Sequence, residues 1–150
     1  MNLKWTAAFV FMLAAGCCQA PRTDANQVVE VVVDGKAVNL DAGPGYFWDE
    51  PVYNDSQSVA YLLKNHGSRS RGYSPHSVVK VTPDGVVDPV VPNATIPGGD
   101  ILSIYKVSGD GMRLLVELHF VTRKDSQATY FDTRPVIYDV EKGEITEIEL

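Results

Sequence analysis

The densest run of groups able to bind or react lies near the middle of the chain. From Ser56 to Pro83 there are Lys64, Arg69, Arg71 and Lys80 and no acid at all. That is a local reversal of sign in a chain of 13 basic and 19 acidic residues. Its centre, Asn65-His66-Gly67-Ser68-Arg69-Ser70-Arg71-Gly72-Tyr73-Ser74-Pro75-His76, reads as a long loop between two strands. Two guanidinium groups among serine hydroxyls and backbone amides suit a carboxylate or a phosphate, which they hold through charge-assisted hydrogen bonds. Long loops on a rigid β scaffold are also where binding usually sits. Lys64, His66, Arg69, Arg71, Tyr73 and His76 are therefore the candidate binding residues, with a small anionic ligand as the matching chemistry. The competing reading is a solvated hairpin loop.

Catalytic and metal chemistry find less support. His66, His76 and His119 are the three histidines, and none stands in an H-x-x-x-H or comparable ligand spacing. His119 shares a strand face with Glu117, which suits a surface pair rather than a metal site. No G-x-S-x-G elbow occurs. Asp84, Asp110 and Asp139 sit in or beside turns, where Asp serves local backbone hydrogen bonds. We expect no enzyme activity, no metal and no cofactor. The alternative is a hydrolase or metal-dependent enzyme using the loop histidines.

The N-terminus carries a different kind of chemistry. Lys4 and the amino group precede the apolar stretch Trp5 to Ala15, and Leu13-Ala14-Ala15-Gly16-Cys17 follows with small residues ending on a cysteine. The apolar stretch is shorter than the ~20 residues a spanning helix needs and has the flanks of a secretory signal. This segment resembles the lipobox of bacterial lipoprotein precursors, with Ala14 where a branched residue is usual. The resemblance implies cleavage after Gly16, lipidation of Cys17 and a place in the bacterial envelope, the outer membrane before the inner. Cys18 offers a second register, and plain secretion to the periplasm or beyond is the alternative. With only these two adjacent cysteines, the domain is expected to fold without a disulfide. Residues 1–16 thus read as signal peptide, 17–27 as a lipidated tether, and 28–150 as a single domain.

That domain must position the candidate residues, and it reads as all-β. β-branched runs alternate with turn signals: Val28–Val33 and Lys36–Leu40 around Asp34-Gly35, whose positive φ angles suit a two-residue hairpin turn. Val59–Lys64 is a short strand. Val78–Val81 and Val86–Val91 flank Thr82-Pro83-Asp84-Gly85, Ile101–Val107 and Met112–Thr122 flank Ser108-Gly109-Asp110-Gly111, and Pro135–Val140 and Glu144–Ile148 flank Glu141-Lys142-Gly143. In Met112–Thr122, Leu114, Val116, Leu118 and Phe120 fall on one face while Arg113, Glu117 and His119 fall on the other, so one face is buried and one is wet. Tyr46-Phe47-Trp48 reads as core. The net charge of −6 argues against nucleic-acid binding, which calls for a basic footprint.

The chain also repeats itself. Tyr53 to Tyr61 aligns with Val107 to Leu115, 54 residues on, and a period near 50 is a signature of stacked β units. Ser108-Gly109-Asp110-Gly111-Met112-Arg113-Leu114-Leu115-Val116 and Asp139 to Ile148 resemble the turn and closing hairpin of Tol-B-like and prolyl-oligopeptidase propeller blades. The resemblance implies blade-like repeats at about 45–91 and 100–150, with Val28–Leu40 as a half-blade, and carries over no catalytic residue. Two and a half blades do not close a propeller, which takes roughly 4–8. We therefore expect antiparallel sheets in an open two-sheet or sandwich-like arrangement, which buries the apolar faces within one chain. Open strand edges invite a partner, so the partners expected are the membrane through the lipid anchor, an envelope protein docked on a sheet edge or on the basic loop, and a homo-oligomer.

The anchor has a direct test. Cys17→Ala should abolish metabolic fatty-acid labelling and release the domain from the membrane fraction. Labelling that persists would move the modification to Cys18.

Overall fold

The computed structural model describes residues 27–68, 72–124 and 129–148. Cys17 and the stretches that the sequence suggests as signal peptide and tether, up to Asn26, lie outside them. Twelve antiparallel strands and no helix are found among the described residues, so the chain is all-β with open sheets, as the alternation and turns require.

Three layers stack face to face. The first is the hairpin β1 (Val28–Val33) and β2 (Lys36–Asp41), closed by Asp34 and Gly35 at φ 50° and 73°. The second is a central sheet in the order β3-β5-β6-β7, from Tyr46–Trp48, Val59–Ser68, Gly72–Val81 and Val87–Val91, with β4 (Val52–Asn54) also on β5. The third is a terminal sheet in the order β12-β11-β10-β9-β8. Its strands are Thr95–Ile96 (β8), Gly99–Val107 (β9), Arg113–Lys124 (β10), Thr129–Asp139 (β11) and Glu144–Glu147 (β12).

Strand β5 shows why the layers are needed. Val59, Ala60, Tyr61, Leu62 and Leu63 are five successive buried residues. Successive side chains in a strand point to opposite faces. Ala60 and Leu62, with Val79, Val81 and Trp48, accordingly meet Val31, Val33 and Leu40 of the hairpin. Val59, Tyr61 and Leu63, with Val78 and Val91, meet Ile101, Leu114, Val116, Leu118 and Val136 of the terminal sheet.

The turns joining β4 to β5 and β9 to β10 interlock. Asn54 donates from Nδ2 to the Ser108 carbonyl at 2.9 Å, and Gln57 donates from Nε2 to the Asp110 carbonyl at 2.8 Å. The Tyr61 hydroxyl donates to Gln57 Oε1 at 3.0 Å. Gly111, at φ 75°, leaves room for this contact: a Cβ there would meet Gln57 Oε1 and the Tyr61 hydroxyl at 2.5 Å each. Burial, and then the nearby Asp110 charge, pushes the Tyr61 hydroxyl above its usual pKa. Asp110 itself is held below the usual carboxylate range, first by the Ser108 hydroxyl and then by the Met112 amide.

One expectation is corrected. The stretch Asn65–His76 is not a long loop: β5 runs to Ser68 and β6 begins at Gly72, with His66 opposite Ser74 and Gly67 opposite Tyr73. The ladder slips between Lys64 and Asn65, leaving His76 as an extra residue on β6, and then continues. Gly67, at φ 104°, permits the close approach, since a Cβ on it would lie 2.6 Å from the Gly72 carbonyl. Polar, unbranched residues carry no alternation, so their pairing left no period to read.

Leu62, fully buried between the hairpin and the central sheet, gives the sharpest test of the layered core. Leu62→Ala should lower the unfolding free energy by about 2–5 kcal/mol, read as a reduced urea midpoint.

Candidate functional site

The structure separates the binding residues proposed from the sequence. Lys64, His66, Tyr73 and His76 lie on the paired strands β5 and β6, not in a loop, while Arg69 and Arg71 fall outside the described residues. Lys64, His66 and His76 gather round Tyr46 on the hairpin-facing side of the central sheet. The Tyr46 ring meets His66 at 5.0 Å and His76 at 5.1 Å, both edge-on. Lys64 Nζ stands 4.6 Å above the Tyr46 ring and 5.6 Å from the Trp48 ring. Such a cation–π contact contributes roughly 0.5–1 kcal/mol and commits the ammonium to the protein's own aromatic surface. His76 Nδ1 lies 3.1 Å from the Ser77 hydroxyl.

Tyr73 points to the opposite face, where its ring meets Phe47 edge-on at 5.3 Å. The third histidine, His119, is on β10 in another sheet, stacked at 4.5 Å on Phe131. Its neighbour Glu117 accepts instead from the Ser103 hydroxyl at 3.2 Å. The three histidines do not converge, and no group of three or more metal-ligating side chains is found among the described residues.

What stacking creates is a cleft of about 380 Å³ where the central and terminal sheets meet along their edges. Its walls are Asp49, Glu50, Leu63 and Tyr73 on one side and Leu102, Ser103, Ile104, Tyr105 and Glu117 on the other. Two local devices shape it. Pro51 follows Asp49-Glu50 and has no N–H to give to a ladder, so the strand beside β5 is broken into β3 and β4. The break turns the two acids toward the cleft, while the Asp49 amide still donates to the Leu63 carbonyl at 3.0 Å.

On the other side β9 carries two bulges within four residues. Val116 pairs Ile104 while Leu115 pairs Lys106, which leaves Tyr105 unpaired; Glu117 pairs Ser103 while Leu118 pairs Ile101, which leaves Leu102 unpaired. Bulges re-aim side chains, and both bulged residues line the cleft. Strand β8 covers β9 only at Gly99 and Asp100, so the Leu102–Tyr105 edge has no ladder partner beyond β10 among the described residues. Tyr105 is 53% exposed and Tyr73 44%. No Lys, Arg or His is among the described residues lining the cleft.

Next to Leu63 on the same face of β5 lies Asn65, opposite Phe47 on β3 and Pro75 on β6. Its exposure is 0%, and neither Nδ2 nor Oδ1 has a hydrogen-bond partner. An amide buried without partners costs about 1–3 kcal/mol. Asn65 is not among the residues that line the cleft, although Leu63, two positions before it on the same strand face, is. Sequence reasoning missed Asn65, Leu102 and Tyr105, because bulges and unpaired amides leave no periodic mark. The signal that was available is Asp49-Glu50-Pro51, two acids before a strand-breaking proline.

Comparison with known proteins finds no matching family model, no similar curated protein and no similar solved structure.

If the Asn65 amide is kept for a ligand rather than for the fold, Asn65→Leu should not destabilise the protein. We expect a melting temperature equal to or above that of the unaltered chain, whereas a large drop would show that the amide is satisfied within the fold.

Proposed function

We propose that this protein is a lipid-anchored envelope module that binds an extended, basic segment of another envelope protein in the cleft between its two sheets. The observation that carries the reading is the doubly bulged β9 edge, which leaves main-chain groups of Leu102–Tyr105 facing a cleft that is walled by carboxylates and tyrosines. An extended segment can add to an open sheet edge through main-chain hydrogen bonds, with alternate side chains giving specificity. Glu50 and Glu117 suit lysine or arginine side chains, which also stack on aromatic faces such as those of Tyr73 and Tyr105.

The lipobox-like segment ending at Cys17 supports the address. It puts the domain on a short tether at the membrane surface, the outer membrane before the inner, within reach of other envelope proteins. The acidic cleft favours a protein segment over the small anion that the basic stretch by itself suggests. His66 and His76 both pack edge-on against Tyr46 and His119 lies in another sheet, so the binding reading draws on the cleft and not on a three-histidine site.

Fluorescence anisotropy with the full lipidated chain in neutral detergent tests this, using a labelled peptide of alternating lysine and valine and its glutamate-valine counterpart. The lysine peptide should bind and the glutamate peptide should not. Glu50→Lys combined with Glu117→Lys should weaken binding by about tenfold or more, a loss of ~1.4 kcal/mol. Glu141→Lys with Glu144→Lys, on the far hairpin of the terminal sheet, should leave it unchanged. Equal binding of the two peptides, or equal loss from both double variants, would overturn the reading.

A further inference from the structure

Among the described residues each layer covers one face of the next, and two faces are left without a cover. One is the outer side of the first hairpin. There Val28 and Val32 are 59% and 49% exposed and flank Glu30, with Asp41, Asn39 and Ala37 as their cross-strand partners on β2. The other is the outer side of the terminal sheet. Leu115 and Ile137 pair across β10 and β11 there, and the exposed Val121 and Phe131 pair further along. A groove of about 200 Å³ runs beside Leu115 and Ile137, with Val107 and Ser108 completing it and Lys106 and Arg113 at its rim. Its lining is almost wholly apolar apart from those two cations.

The two faces are complementary in charge. Val32 is an apolar knob with a carboxylate two residues before it, and the groove is an apolar slot bearing two cations. We propose that the chain associates head to tail with a second copy, the β1–β2 hairpin of one copy seating on the terminal sheet of the next. Val32 enters the groove between Leu115 and Ile137, and Glu30 and Asp41 face Lys106 and Arg113. The contact repeats between molecules the stacking already present within each one. Because it joins two different surfaces, it does not saturate in a symmetric pair; it builds a ring where the rotation per copy closes and an open array where it does not. Opposite charges fix the order of the faces and disfavour hairpin against hairpin, which would bring Glu30 and Asp41 onto their own copies.

Cysteine cross-linking of the full chain in neutral detergent, in a Cys18→Ser background, tests this. Chains bearing Val32→Cys are mixed with chains bearing Leu115→Cys, oxidised gently and resolved without reductant. A linked dimer is expected in the mixture and in neither variant alone, and a ladder in the double variant. Adding Glu30→Lys to the Val32→Cys chain should reduce the dimer by about tenfold, and Arg113→Glu on its partner should restore it. No dimer in the mixture, or equal dimer from either variant alone, would overturn the proposal. So would sedimentation showing the unsubstituted chain to be a single copy per micelle at every concentration.

Discussion

A strand that is apolar on both faces cannot be satisfied by one partner. Five successive residues of β5, Val59 to Leu63, are buried, and their side chains leave the backbone alternately up and down. The central sheet must therefore be roofed on each side, by the β1–β2 hairpin over Ala60 and Leu62 and by the terminal sheet over Val59, Tyr61 and Leu63. Burial of apolar surface is the main favourable term in folding, so this requirement sets the layer order and the place of every other element. The two sheets then meet through the β4–β5 and β9–β10 turns, where Asn54 and Gln57 bond to the carbonyls of Ser108 and Asp110. These polar contacts fix the alignment of layers that apolar contact alone would leave free to slide, because hydrogen bonds are directional and dispersion is not.

The cleft follows from the same stacking. Two twisted sheets packed on their faces diverge at their edges, and here the diverging edges carry a proline break on one side and two bulges on the other. Each of these features weakens its own ladder. Pro51 withholds a donor, while the bulges at Leu102 and Tyr105 leave residues outside the pairing. Asn65 adds a buried amide with no partner. The proline break and the two bulges, each of which lowers local stability, line the same cleft, while the Asn65 amide is buried beside it on the face of Leu63. The tyrosine and histidine cluster on the other side of the central sheet has the opposite character. There Lys64 rests on Tyr46 and Trp48, a contact that ties β5 to β3.

A stack of this kind has ends, and exposed ends must be made soluble or be used. The terminal sheet interrupts its outward apolar residues with Arg113 and Asp139, and the hairpin does so with Glu30 and Asp41. Interleaved charge keeps such faces from pairing indiscriminately.

Alternation and turn chemistry were enough to determine the class of fold. The hairpins around Asp34-Gly35, Thr82–Gly85, Ser108–Gly111 and Glu141–Gly143 announce themselves by residues that favour tight turns, and β10 by the strict alternation of Leu114, Val116 and Leu118 with polar neighbours. These signals are local: each depends on residues within a few positions of one another. Tertiary structure alone decided the rest. Asn65–His76 looked like a loop because its residues are polar and unbranched, yet cross-strand rings and a bulge at His76 carry the ladder through it. Lys64 and Tyr73, nine positions apart, fall on opposite faces of one sheet because strand parity and a one-residue slip set direction, not residue type. The cleft joins residues from Asp49 to Glu117, and nothing in any short window of sequence encodes that meeting. It arises from how two sheets pack, a property of long-range burial that sequence spacing does not record.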